Sequence, residues 1–141
     1  MKKDYDEIYC YEGTDTLKNK QNIHDTQKLE NYERSVVAIK LMALNKQGIT
    51  GKFDIQHLKD IHSFLFGDIY PFAGEFRREN ISKGYFQFAT WEYIESELSS
   101  LLQRLKEENY LLDLSQEDFV QRLAYYWSEL NVLHPFREGN R

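Results

Sequence analysis

Two prolines in 141 residues constrain this chain more than any other feature. Pro71 and Pro135 stand far apart, and no glycine occurs between Gly84 and Gly139. Proline lacks the amide hydrogen and crowds the preceding turn, and glycine weakens a helix through backbone entropy. A chain so poor in both reads as mostly helical.

The spacing of apolar residues carries that reading along the chain. Leu29, Tyr32, Val36, Ile39 and Ala43 recur at helical intervals, predicting a helix from Asp25 to about Leu44. Asp54 suits the N-cap of a short second helix, with Leu58, Ile61 and Leu65 on one face and Gly67 as its stop. Tyr70-Pro71-Phe72-Ala73-Gly74 reads as a tight aromatic turn. Residues 81–89 place Gly84 between short runs with Phe86 and Phe88 two apart, which predicts a short β-hairpin. Thr90 can cap a third helix carrying Ile94, Leu98, Leu101 and Leu105. Ser115 and Asp118 open a fourth in capping-box style, with Phe119, Leu123, Tyr126 and Leu130, ending near Val132. The expected fold is all-α, a helical core with one inserted β-hairpin. Residues 1–24 are an irregular lead-in and 25–141 the domain.

At 16.9 kDa, with 41% hydrophobic and 15% aromatic residues, the chain can bury a core as one domain. The lone Cys10 forms no internal disulfide, which fits a reducing compartment. No apolar run approaches the ~20 residues of a membrane span, and residues 1–6 lack an apolar signal core. The expectation is a soluble, cytoplasmic protein that does not engage a membrane. A net charge of −5 argues against general nucleic-acid binding, which demands a basic face. Arg77 and Arg78 form a local basic spot that either meets a phosphate or stays solvated. His57 and His62 lie five apart, not at the spacing of a helical metal pair, and read as surface or packing residues. Tyr125, Tyr126 and Trp127 read as core.

The last eight residues, His134-Pro135-Phe136-Arg137-Glu138-Gly139-Asn140-Arg141, form a chemical device. Pro135 forces His134 out of helical geometry, placing the imidazole at the rim of the helix end. Histidine is the side chain best suited to taking a proton from a hydroxyl near neutral pH. Phe136 is an apolar anchor. Glu138 is a hard oxygen ligand of the kind Mg²⁺ accepts beside phosphates. Gly139 allows positive φ and an anion-binding nest, and Asn140 can cap a following helix whose amides face the same anion. Base, metal ligand and phosphate cradle in one loop suit transfer of a phosphoryl-linked group to a hydroxyl.

His134 to Asn140 match the motif of the Fic family, His-Pro-Phe-x-(Asp or Glu)-Gly-Asn-(Gly or Lys)-Arg. Three weaker matches follow in family order: Thr14 to Lys20 resembles the segment before the first core helix, Tyr70 to Arg77 the Pro-Phe-Ala-Gly-x-x-Arg turn, and Ile81 to Gly84 the start of the hairpin flap. The resemblance implies a protein adenylyltransferase that moves AMP from ATP to a Ser, Thr or Tyr hydroxyl of a target, releasing pyrophosphate. It makes His134 the general base and Glu138 the Mg²⁺ ligand. It puts Arg137, Glu138, Gly139, Asn140 and Arg141, with Lys83 and Gly84 of the flap, at the nucleotide. Ile81, Ser82, Lys83, Gly84, Tyr85 and Phe86 would hold the target protein as an added strand.

Position 141 is Arg where Gly or Lys is usual, and the resemblance implies that a closing arginine and a helix follow it. The expectation is that the C-terminal part of the domain is missing from this stretch, leaving its phosphate site incomplete. Thr26, Glu30 and Asn31 fit the family's inhibitory pattern (Ser or Thr)-x-x-x-Glu-(Gly or Asn), which equally describes ordinary helix-start chemistry. The other sources of inhibition are the missing part or a separate antitoxin protein, as bacterial members often have. Homodimerisation and delivery into a host cell remain open in the resemblance. Glu138 beside Gly139 retains the nucleotidyl-transfer form of the motif rather than the Lys-bearing, phosphorylating Doc form. UMP transfer, phosphorylation, AMP removal and a binding module without chemistry are the alternatives.

Overall fold

The structure, a computed structural model, describes residues 8–140. Four α-helices and one two-stranded hairpin make up its regular elements, so the expected all-α core with a hairpin is what the chain adopts. Among the described residues, no helix is long and apolar enough to cross a membrane. Residues 8–50 and 57–75 form one compact unit, and 51–56 and 76–140 a second.

In the first unit α1 spans Thr26–Gln47. Asp25 caps it by accepting from the Lys28 amide at 2.9 Å, and Gly48 closes it with φ 64. The inward face holds Leu29, Tyr32, Val36 and Val37. Ile39 does not join them and is 67% exposed. At about 100° per residue it falls roughly 80° from the Leu29 direction, at the edge of the stripe. α2 spans Ile55–Phe66. Its most deeply buried residues are His57, His62 and Phe66, while the expected face of Leu58, Ile61 and Leu65 is half-buried.

The two histidines are packing residues satisfied by main chain. His57 Nε2 donates to the Ile49 carbonyl at 2.8 Å, and His62 Nδ1 accepts from the Gly74 amide at 2.9 Å. That second bond secures the aromatic turn, where Tyr70 and Phe72 stack with centroids 4.9 Å apart. Tyr70 donates its hydroxyl hydrogen to Glu33 of α1. The described part of the lead-in, 8–24, is without helix yet well packed. A bridge pairs Cys10 with Leu17, and Tyr9, Cys10 and Leu17 join Leu29, Phe66, Ile69, Tyr70 and Phe72 in the core.

The second unit begins with the hairpin: β1 (Ser82–Lys83) pairs antiparallel with β2 (Phe86–Gln87), Lys83 opposite Phe86. Gly84, with φ 60, takes the first turn position, where a two-residue hairpin demands positive φ. The third helix starts later than expected. A 3-10 turn, Trp91–Tyr93, precedes α3, Ile94–Glu107. Thr90 makes no side-chain cap bond; Asn80 Oδ1 accepts from the Trp91 amide instead, at 2.9 Å. α4 spans Gln116–Leu133, and Ser115 caps it by accepting from the Asp118 amide.

α3 packs on α4; the buried residues of α3 are Ile94, Leu98 and Leu101, and those of α4 Tyr126 and Leu133. Arg122 of α4 forks onto both Glu108 oxygens at 2.6 and 2.8 Å, and Tyr126 donates to the same carboxylate. Of the three aromatic residues of α4 expected in the core, Tyr126 is buried and Tyr125 half-buried, but Trp127 is not. Phe119, Leu123 and Trp127 are exposed, Trp127 by 70%. At about 100° per residue Phe119 and Leu123 lie roughly 20° and roughly 60° from Tyr126, on the same side of the helix, whereas Trp127 stands a full step of about 100° from it.

Candidate active site

α4 ends where its sequence dictates. His134 takes the C-cap position in left-handed geometry, φ 46 and ψ 62, and its amide still donates to the Leu130 carbonyl. Pro135 cannot continue the helix. The imidazole Nδ1 bonds the Asn131 carbonyl at 3.2 Å. A carbonyl only accepts, so Nδ1 carries the proton and the lone pair of the neutral ring sits on Nε2. The Phe88 ring lies against this imidazole, centroids 3.8 Å apart and planes 13° from parallel.

The loop beyond is held from inside. Phe136 is 3% exposed and packs on Phe76 with centroids 5.6 Å apart, so it is the anchor expected. Asn140 spends its side chain within the loop, accepting from the Phe136 amide and donating to the Phe136 carbonyl. Gly139 has φ 77, the conformation for which glycine was singled out, and its amide donates to Glu138 Oε1 at 3.1 Å. Arg137 pairs with Glu79 at 2.7 Å. Arg141 lies outside the described residues.

Arg77 departs from both readings of its basic spot. It is neither a solvated charge nor a surface phosphate contact: it is 1% exposed. Its guanidinium donates to four carbonyls, those of Leu133, His134, Glu79 and Ala89, at 2.5 to 3.1 Å. Its amide donates to Pro135 at 2.9 Å. Arg78 beside it is exposed. Hydrogen bonds to a charged group contribute about 1.5–3 kcal/mol each, and this set offsets the cost of burying the charge.

The flap residues Ser82, Lys83, Gly84, Tyr85 and Phe86 are all exposed and Ile81 half-buried, leaving the hairpin accessible. On α1, Glu30 and Asn31 are exposed, while Thr26 bonds the Thr16 hydroxyl at 2.7 Å rather than capping the helix. No group of three or more His, Cys, Asp or Glu side chains suited to a metal occurs among the described residues. Glu138 is a hard oxygen ligand, and one or two carboxylates beside substrate phosphates are what Mg²⁺ usually takes from a protein.

Residues 52–141 match the Fic/DOC family. The chain is 42% identical to the protein adenylyltransferase VbhT of Bartonella schoenbuchensis, over 94% of this chain and 28% of that protein. It is 39% identical to the probable protein adenylyltransferase Fic of Escherichia coli, over 94% of this chain and 65% of that protein. The chain thus spans less than two thirds of either relative. Among solved structures, the N-terminal Fic domain of an effector protein from a Bartonella species matches with TM-score 0.89 and 30% identity, over 94% of this chain and 65% of that one. BepC of Bartonella tribocorum, solved with bound AMPPNP, matches with TM-score 0.88 and 32% identity, over 94% and 70%. The chain belongs to the Fic/DOC family.

Proposed function

We propose that this chain is the catalytic part of a protein adenylyltransferase. The observation that carries the reading is the His134 loop, a histidine on a left-handed helix cap whose Nδ1 is committed to Asn131. A base of this kind takes the hydroxyl proton of a target Ser, Thr or Tyr on Nε2. The hydroxyl oxygen forms its bond to the α-phosphorus of ATP, the bond from that phosphorus to the β-bridging oxygen breaks, and pyrophosphate leaves. Gly139 with the main chain of Asn140 forms the anion cradle, and Arg137, Arg141, Lys83 and Gly84 complete the nucleotide contacts. Glu138 would hold Mg²⁺, which when bound would neutralise phosphate charge. Relatives named protein adenylyltransferases and a neighbour that binds AMPPNP support the nucleotide donor. The exposed flap is the docking strand for the target.

Incubation of the full-length protein with α-labelled ATP and Mg²⁺ tests this. Label appears on the protein itself or on lysate proteins and is lost in His134→Ala. Label that persists in the variant removes His134 as the base. Label from γ-labelled ATP alone, or from α-labelled UTP, points to phosphorylation or UMP transfer instead, and no label with any donor points to a binding module.

A further inference from the structure

The root of the flap is fastened to the base at four points, all in the second unit. Phe88, immediately after β2, stacks on the His134 ring at 3.8 Å. The Ala89 amide donates to the Val132 carbonyl at 3.1 Å. Arg77 bridges the two sides, donating to Glu79 and Ala89 of the flap root and to Leu133 and His134 of the helix end. Glu79 in turn accepts from Arg137 of the loop. The tip contrasts with this root: its strands are two residues each and exposed. We propose that Arg77 and Phe88 are positioning residues that make flap and imidazole one mechanical unit, so that strand pairing in the flap sets the orientation of the base.

The argument is geometric. His134 sits on a left-handed cap, beyond the regular helix, so packing and hydrogen bonds at its own position must hold its ring. Phe88 supplies a face, and a nearly parallel ring restricts rotation of the imidazole about its Cβ bond. Phe88 can do so only while the hairpin holds it, because the Phe88 amide donates to the Ile81 carbonyl across the flap at 3.2 Å. Arg77 fixes the same two segments at their carbonyls. A strand added to the flap edge therefore braces Phe88 and, through it, the base.

The inference rests on His134 as the base, and its test separates the two claims. In the full-length protein, ring protons of His134 stacked on Phe88 resonate upfield of their random-coil positions. Phe88→Leu returns them there, and Phe88→Tyr retains the upfield shift. Lys83→Pro, which breaks the hairpin pairing without touching His134, also moves them. Phe88→Leu lowers kcat on the order of 10²-fold, the cost of a misplaced reacting group. KM for ATP stays within about two-fold, since nucleotide binding is untouched. Arg77→Lys gives the same split, and a thermal melt shows whether that variant is folded. His134 signals unmoved by either Phe88→Leu or Lys83→Pro overturn the coupling, as does an unchanged kcat in Phe88→Leu. If the wild-type protein transfers no label, the ring signals alone decide the coupling, and only the transferase reading fails.

Discussion

The carboxamide of Asn140 closes on both polar groups of Phe136, accepting from its amide at 2.8 Å and donating to its carbonyl at 2.6 Å. One side chain thereby ties the two ends of a five-residue loop, with Glu138 and Gly139 between them. Asn140→Asp preserves the shape but sets a carboxylate oxygen against the Phe136 carbonyl, where two acceptors repel. The expected outcome is a variant that folds with a melting temperature close to wild type and transfers little label. Wild-type labelling by Asn140→Asp removes loop closure as its role.

Phe136 secures the same loop from the apolar side. Truncation of a buried phenylalanine costs about 3–5 kcal/mol, a large share of the net stability of a small domain. Phe136→Ala is expected to lower the melting temperature by many degrees, and Phe136→Leu by much less. A Phe136→Ala protein that melts like the wild type shows that the loop is not anchored through this ring.

What could be read from the chain before its structure is what close neighbours decide. Asp25 with Lys28, Ser115 with Asp118, Gly84 at the flap turn and Pro135 at the helix end all act within three or four residues, and each stands where its type predicts. Arg77 could not be read this way. Its partners at Leu133 and His134 are 56 and 57 residues distant, and only burial separates it from exposed Arg78 next door. The stacking of Phe88 on His134 is equally non-local, and in the sequence Phe88 marks only a strand. The pairing of Arg137 with Glu79, 58 residues away, was hidden for the same reason. Trp127 shows a different limit: a large apolar residue on a helix suggests core, but it stands a step of about 100° from buried Tyr126, and residue type alone does not say how far round the helix the covered stripe extends.

Gly74 sits in the turn with φ 79, and a Cβ there would lie 3.0 Å from Ser63 Cβ and 3.3 Å from the Lys59 carbonyl oxygen. Left-handed geometry costs a residue with a Cβ about 1–2 kcal/mol, and the close contacts add to that. Gly74→Ala is therefore expected to destabilise the protein measurably in urea. His62→Phe, which removes the acceptor for the Gly74 amide, acts in the same direction. Unchanged urea midpoints in both variants would mean that the turn does not depend on this glycine and its bond.

The Glu108, Arg122 and Tyr126 group makes stability depend on pH from both sides. The Arg122 hydrogen bond, followed by that of Tyr126, holds the Glu108 carboxyl below its ordinary value of 4.5. This contribution is present above that value and is lost as pH falls through the lower folded one. Burial first, then the bond to Glu108, pushes the Tyr126 phenol from 10.0 up to about 12. Its contribution is full below 10.0 and is lost as pH rises towards about 12. Melting temperature is expected to fall over that alkaline interval, and Tyr126→Phe to flatten the fall while leaving an acid limb. An alkaline limb unchanged in Tyr126→Phe assigns it to other groups.

Glu30 decides whether this chain carries its own inhibitor. Its side chain is exposed on α1, and neighbouring Asn31 accepts from Gln27 one turn back, an ordinary helix-surface contact. Thr26, the other residue of the pattern, is bonded to Thr16. These contacts describe a solvated helix face, so Glu30→Gly is expected to leave the extent of labelling from α-labelled ATP unchanged. A glycine in a helix costs about 1 kcal/mol, which makes Glu30→Gln the proper control for helix stability. A rise in labelling in both variants would place the inhibitory carboxylate in α1 and make the enzyme self-restrained.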